Sequence, residues 1–168
     1  MNDRDGYAQE IVKLLPRLRR FARALTGNMA DADDLVQSAC EKAFQRMDQL
    51  REDVLLDRWM FAIVRNAWRD DRRSARVKSP HDDVSEMIDL VGEDGRETTD
   101  RRSEMAGLRR AVDMLPLEQR EVVSAVILEG LAYREAAELL NVPIGTVMSR
   151  LSRARGAIAQ TLAGGLVQ

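Results

Sequence analysis

Apolar residues in both halves of the chain recur at spacings of three and four, and nowhere do they alternate as a half-buried strand requires. Ile11, Leu14, Leu15, Leu18, Phe21, Ala22 and Leu25 make one such stripe. Leu35, Val36, Ala39, Ala43, Phe44 and Met47 make a second, running to about Leu50. Leu56, Trp59, Met60, Ile63, Val64 and Ala67 make a third. That period gathers each set on one face of an α-helix. An all-α fold is expected, and a chain that is 45% apolar but only 4% aromatic agrees with it.

Punctuation divides these helices. Pro16 falls inside the first stripe and predicts a kink there, or the first turn of the helix's main part. Gly27-Asn28 ends that helix, and Asn28, three residues before Asp31, predicts an N-cap with Asp31, Asp33 and Asp34 at the positive end of the dipole. The second half predicts four shorter helices. Leu108, Ala111, Val112 and Leu115 give the first, closed by Pro116. Val122, Val123, Val126 and Ile127 give the next, closed by Gly130. Tyr133–Leu140 follows, then a turn at Asn141-Val142-Pro143-Ile144 and a last helix from Gly145 to about Leu162.

Residues 79–103 interrupt the pattern with Pro80, Gly92, Gly95 and a net charge of −5, against +3 for residues 1–78 and zero for 104–168. This segment is expected to be a flexible acidic linker, with a short apolar patch (Met87, Ile88, Leu90, Val91) able to dock on a helix. Two small helical domains, 8–78 and 104–163, therefore flank a linker at 79–103. A total of 168 residues excludes a TIM barrel, which needs about 250.

Chemistry-bearing clusters are scarce. Cys40 is the one cysteine, which excludes a disulfide framework and a multi-cysteine zinc site. It sits among apolar helix positions, where a thiol usually serves the core. His81 is the one histidine and lies in the linker. No metal-ligand spacing and no phosphate-cradling glycine loop occurs. No cofactor, metal or catalytic site is expected. Met1-Asn-Asp-Arg-Asp5 precedes no apolar signal core, and no apolar run reaches the ~18 residues of a membrane span. A cytoplasmic protein without membrane insertion is expected.

Three constellations suit binding. The run from Tyr133 to Arg155 has small Ala136 and Ala137, an Asn141 suited to a left-handed turn, and an outer face of Thr146, Ser149, Arg150, Ser152 and Arg153. That is a helix-turn-helix pattern, whose second helix enters the major groove, with arginine able to bond guanine bidentately. An ordinary α-hairpin with a solvated face is the competing reading. Arg65, Arg69, Arg72, Arg73 and Arg76 recur at three and four beside Asn66, Trp68 and the polar loop Gln49–Asp57, which suits a phosphate backbone and unstacked bases. Its rival is a solvated helix end with Asp70 and Asp71 as internal partners. Asp31, Asp33, Asp34, Leu35, Val36, Gln37 and Glu41 form an acidic-apolar run, either a capped helix start or a protein-docking face.

Asp31-Ala-Asp-Asp-Leu-Val-Gln37, Trp59-Met-Phe-Ala-Ile-Val-Arg-Asn66, Leu115-Pro-Leu-Glu-Gln-Arg-Glu121 and Gly145-Thr-Val-Met-Ser-Arg-Leu-Ser-Arg-Ala-Arg155 together resemble the extracytoplasmic-function (group four) RNA polymerase sigma factors, in family order and spacing. The resemblance implies a sigma domain two followed by a helix-turn-helix sigma domain four. It implies an alternative sigma factor that directs promoter-specific initiation and has no catalysis of its own. Asp33, Asp34, Leu35, Val36 and Gln37 match the stretch that docks on the β′ clamp helices of core RNA polymerase, and the β flap is a further implied contact. The loop Gln49–Asp57 corresponds to the loop that captures a flipped minus-ten base. Arg65, Asn66 and Arg69, with Arg72 and Arg73, fall along that strand. Thr146, Ser149, Arg150, Ser152 and Arg153 fall on the minus-thirty-five recognition helix. Core polymerase, promoter DNA and an anti-sigma factor are the implied partners.

The chain departs from the family pattern at Trp68, where a smaller aliphatic residue is usual, at Met60 and Met148, and at Pro16. Two other classes remain open. A sigma-like decoy would bind an anti-sigma factor and never DNA. A simple helix-turn-helix repressor would need a ligand or dimerisation domain in its first half. The slightly acidic total charge of −2 suits DNA binding shared with a larger partner.

Overall fold

The computed structural model describes residues 3–50, 54–78 and 99–165. Every regular element among them is helical: α1 (Asp3–Thr26), α2 (Met29–Arg46), α3 (Leu56–Lys78), α4 (Thr99–Asp113), α5 (Leu117–Val123), α6 (Tyr133–Leu140) and α7 (Ile144–Gly165). A 3-10 turn at Met47–Gln49 extends α2, and a π-type turn at Ser124–Leu128 extends α5. The chain divides into two compact units, Met1–Met87 and Ile88–Gln168. His81, the patch at residues 87–91 and most of the segment read as a linker lie outside the described residues. Helix α4 begins at Thr99, inside that segment.

In the first unit α1, α2 and α3 pack on one another. Ile11, Leu18, Phe21, Ala22 and Leu25 are buried as the stripe requires, while Leu14 and Leu15 are half-buried. Pro16 is exposed and lies inside an unbroken α1, so it does not open the helix's main part. The proline ring removes one solvent-side hydrogen bond, and the buried residues on the other face keep the helix going. Gly27, at φ 89°, closes α1 by donating its N–H to Arg23 O at 2.9 Å. Asn28 caps α2, accepting from Asp31 N at 2.8 Å, and its amide donates to the Asp31 carboxylate at 2.7 Å. Phe61, absent from the third stripe as read, meets Phe21 edge to face with centroids 5.1 Å apart. Trp68 also belongs to the core, at 5% exposure. Arg17 of α1 bridges to Asp57 of α3 at 3.3 Å and lies 5.1 Å over the Phe61 ring.

The second unit packs α4, α5 and α6 against α7. Its core holds Leu115, Val122, Val123, Ala125, Leu131, Ala136, Leu140, Val147, Leu151 and Ala154. Leu108 and Ile127 depart from their expected stripes and are exposed. At Ile127 the cause is the π-type turn, which widens the helix and rotates the register outward. Arg120 donates to the Asp113 and Leu115 carbonyls at 3.0 and 3.2 Å, satisfying acceptors in the turn where α4 ends.

Candidate nucleic-acid interface

Helices α6 and α7 are joined by a turn that pivots on Asn141, whose φ and ψ are 51° and 51°. Asparagine accepts this left-handed conformation because its short polar side chain bonds locally. The turn is held by Val142 N donating to Ala137 O at 3.0 Å. Buried Ala136 and Ala137 let α7 approach closely, and Val147, Leu151 and Ala154 complete the contact. At the other end of α6, Ala132 N donates to the Glu135 carboxylate at 2.9 Å, the acidic half of a capping box.

With its apolar face fixed, α7 turns the others outward. Ser149, Ser152 and Arg153 are exposed, and Thr146 and Arg150 are half-buried. Arg153 makes no hydrogen bond or ion pair among the described residues. Arg150 rests differently: its Nη1 is buried without a hydrogen-bond partner. Ser149 Oγ donates to Thr146 O at 3.1 Å. The helix carries Arg150, Arg153 and Arg155 and no carboxylate. A helix with cations and no acid of its own favours a polyanion.

Helix α3 divides the second constellation. Arg65 is buried, at 5% exposure, and does not share the outer face with Arg72 and Arg73. Asn66 is exposed, Arg69 is half-buried, and Arg72 and Arg73 are exposed. Spacing of three and four allowed Arg65 on either edge of the face, and packing put it inside. Asp70 and Asp71 form no ion pair among the described residues. Trp68 is core rather than an open stacking platform. Residues 51–53 of the polar loop and the Arg76 side chain lie outside the described residues.

On α2 the docking stretch is also split. Leu35 and Val36 are buried, each at 4% exposure, while Asp33, Asp34 and Gln37 face outward. Asp33 pairs with Arg19 of α1 at 2.9 Å, and Gln37 donates to Glu41 at 3.3 Å. Phe44 leaves its stripe and is 45% exposed, continuing the face of Gln37 and Glu41 by one turn. Burial, and then the neighbouring Glu41 charge, push the half-buried Cys40 thiol upward, so it stays neutral at pH 7. No described cluster of histidine, cysteine, aspartate and glutamate could hold a metal, and no described helix is long and apolar enough to cross a membrane.

A first unit ending in a basic helix, followed by a unit built on a helix-turn-helix, is a sigma-70 arrangement. The family model described as sigma-70, region 4 matches residues 106–158, and the model described as the sigma2 domain of PhyR matches residues 11–65. The ECF RNA polymerase sigma factor EcfG of Rhodopseudomonas palustris is 34% identical over 94% of this chain and 86% of its own. SigM of Mycobacterium tuberculosis is 33% identical over 95% and 79%. Sigma factor RpoE, solved in complex with the anti-sigma factor NepR from Bartonella quintana, superposes with a TM-score of 0.82 at 30% identity, over 94% of this chain and 97% of that one. The chain belongs to the extracytoplasmic-function RNA polymerase sigma factors. It is an alternative sigma factor, and its work is promoter-specific transcription initiation.

Proposed function

We propose a division of labour between the units. The first, near residues 8–78, docks on core polymerase through Asp34, Gln37 and Phe44 of α2, and holds the minus-ten strand along Asn66, Arg69, Arg72 and Arg73. The second, from α4 to about residue 163, reads the minus-thirty-five duplex with Thr146, Ser149, Arg150, Ser152 and Arg153, and rests on the β flap. Leu35, Val36 and Arg65 support these faces from within. The protein contributes no catalytic group and acts in the cytoplasm, where the polymerase is.

The observation that carries this reading is α7: three cations, no carboxylate, hydroxyls on the same face, and a left-handed Asn141 that fixes how the helix projects. Transcription in vitro with core enzyme tests it. Promoter-dependent transcripts are expected from the native chain and are lost in the Arg150→Ala, Arg153→Ala double variant; equal transcription by both overturns it.

Regulation by an anti-sigma factor is proposed from the RpoE–NepR complex, whose sigma factor shares this fold at 30% identity. Affinity capture from cells should recover a small inhibitory protein as well as polymerase, and recovery of polymerase alone overturns this part. The match of residues 11–65 to the PhyR sigma2 model favours a decoy as the second reading. A decoy has no use for the α7 arginines: it would give no promoter-dependent transcript, and the double variant would capture the anti-sigma factor as well as the native chain does.

A further inference from the structure

Among the described residues of the first unit, two guanidinium groups lie over aromatic rings, and they differ in one respect. Arg17, over Phe61, is also tied to the Asp57 carboxylate at 3.3 Å. Arg72 lies 5.4 Å from the centroid of the Trp68 ring, and among the described residues it has neither hydrogen bond nor ion pair. Its neighbours Asp70 and Asp71 leave it unclaimed. Trp68 is fixed in the core at 5% exposure, while Arg72 is exposed one turn further along α3. An indole face attracts the cation without using any of its N–H donors. The arginine is thereby held in one region of space, and no described residue takes its donors.

We propose that Trp68 is a positioning residue: it presents the Arg72 guanidinium, already oriented, to a phosphate of the minus-ten strand. The idea rests on the reading of α3 as the strand-holding helix. Trp68 touches no DNA and acts only through Arg72. Without the ring, Arg72 must lose side-chain freedom when it meets the phosphate, and binding weakens by that amount.

The test uses holoenzyme reconstituted from the full chain and core polymerase, on a duplex that the native holoenzyme selects from a random-sequence pool. Binding is measured across a potassium chloride series. Arg72→Ala is expected to lower the slope of log affinity against log salt by about 0.7, the value for one phosphate of a single strand. Trp68→Leu is expected to weaken binding about two- to fivefold when Arg72 is present, and to add nothing in the Arg72→Ala background. Trp68→Phe, which keeps a ring, should recover most of that loss. A Trp68→Leu penalty equal in both backgrounds, or an unchanged salt slope in Arg72→Ala, overturns the proposal.

Because Trp68 is buried, its leucine variant can fail to fold. A second measurement leaves the tryptophan in place: in a Trp59→Phe chain, Trp68 is the sole indole. Arg72→Ala should then shift its emission, and unchanged emission overturns the pairing. A native holoenzyme that selects no duplex sinks the promoter reading and the proposal with it; uncoupled variants on a selected duplex sink only the role of Trp68.

Discussion

A guanidinium already in solvent reaches a base without leaving a packed site; Arg153 is in that position and Arg150 is not. Arg153→Ala should cost about 1–3 kcal/mol in holoenzyme binding and relax preference at one base pair, read by competition among duplexes varied at each minus-thirty-five position. Arg150 holds a buried donor without a partner, which costs roughly 1–3 kcal/mol at rest and favours release toward a guanine acceptor. At Cys40 the direction of the pKa shift gives a sign. The folded state holds the thiol proton more tightly than the unfolded chain does. The stability this provides is complete below the unfolded thiol range and fades as pH rises through it. Maleimide labelling at pH 7 should be slower in the native chain than in denaturant, and equal rates would contradict the burial.

At the scale of elements, caps and turns carry more than their exposure suggests. Asn28→Ala removes both the acceptor for Asp31 N and the amide donor to its carboxylate. It should lower stability by about 1 kcal/mol in urea unfolding followed by circular dichroism. Asn141→Val places a β-branched residue at φ 51°, which should cost upward of roughly 1 kcal/mol and misdirect α7. Asn141→Gly relieves that strain and should bind promoter DNA nearly as the native chain does. A valine variant with native melting and native promoter binding would show that the turn does not set the projection of α7.

For the whole molecule, the charge balance and the size of the units decide the mode of action. With a net charge of −2 and its basic residues spread over α1, α3, α4 and α7, the chain has no large field of its own for a polyanion. Two weak sites gain affinity when one partner holds them at the spacing of the two promoter elements. At 0.15 M salt the isolated chain should therefore show only micromolar or weaker binding to duplex DNA, and core polymerase should sharpen it by orders of magnitude. Gel shift or fluorescence anisotropy, with and without core, measures this; tight binding by the isolated chain would contradict it.

Helical class, the cap at Asn28, the left-handed Asn141 and the outer face of α7 were legible from periodicity and residue type, because each depends on backbone propensity within a few residues. Periodicity also located α3 and α2, but it left open which edge residues of each face turn inward. That choice belongs to packing. Arg65 is covered by neighbouring helices, Phe44 is left outside, Ile127 is rotated out by the π-type turn, and Phe61 and Trp68 are drawn into the core. A spacing of three or four fixes an angle around one helix axis to within a residue or so. Only the helices that pack against that axis decide which side of the line a residue falls on, and those contacts join residues distant in the chain.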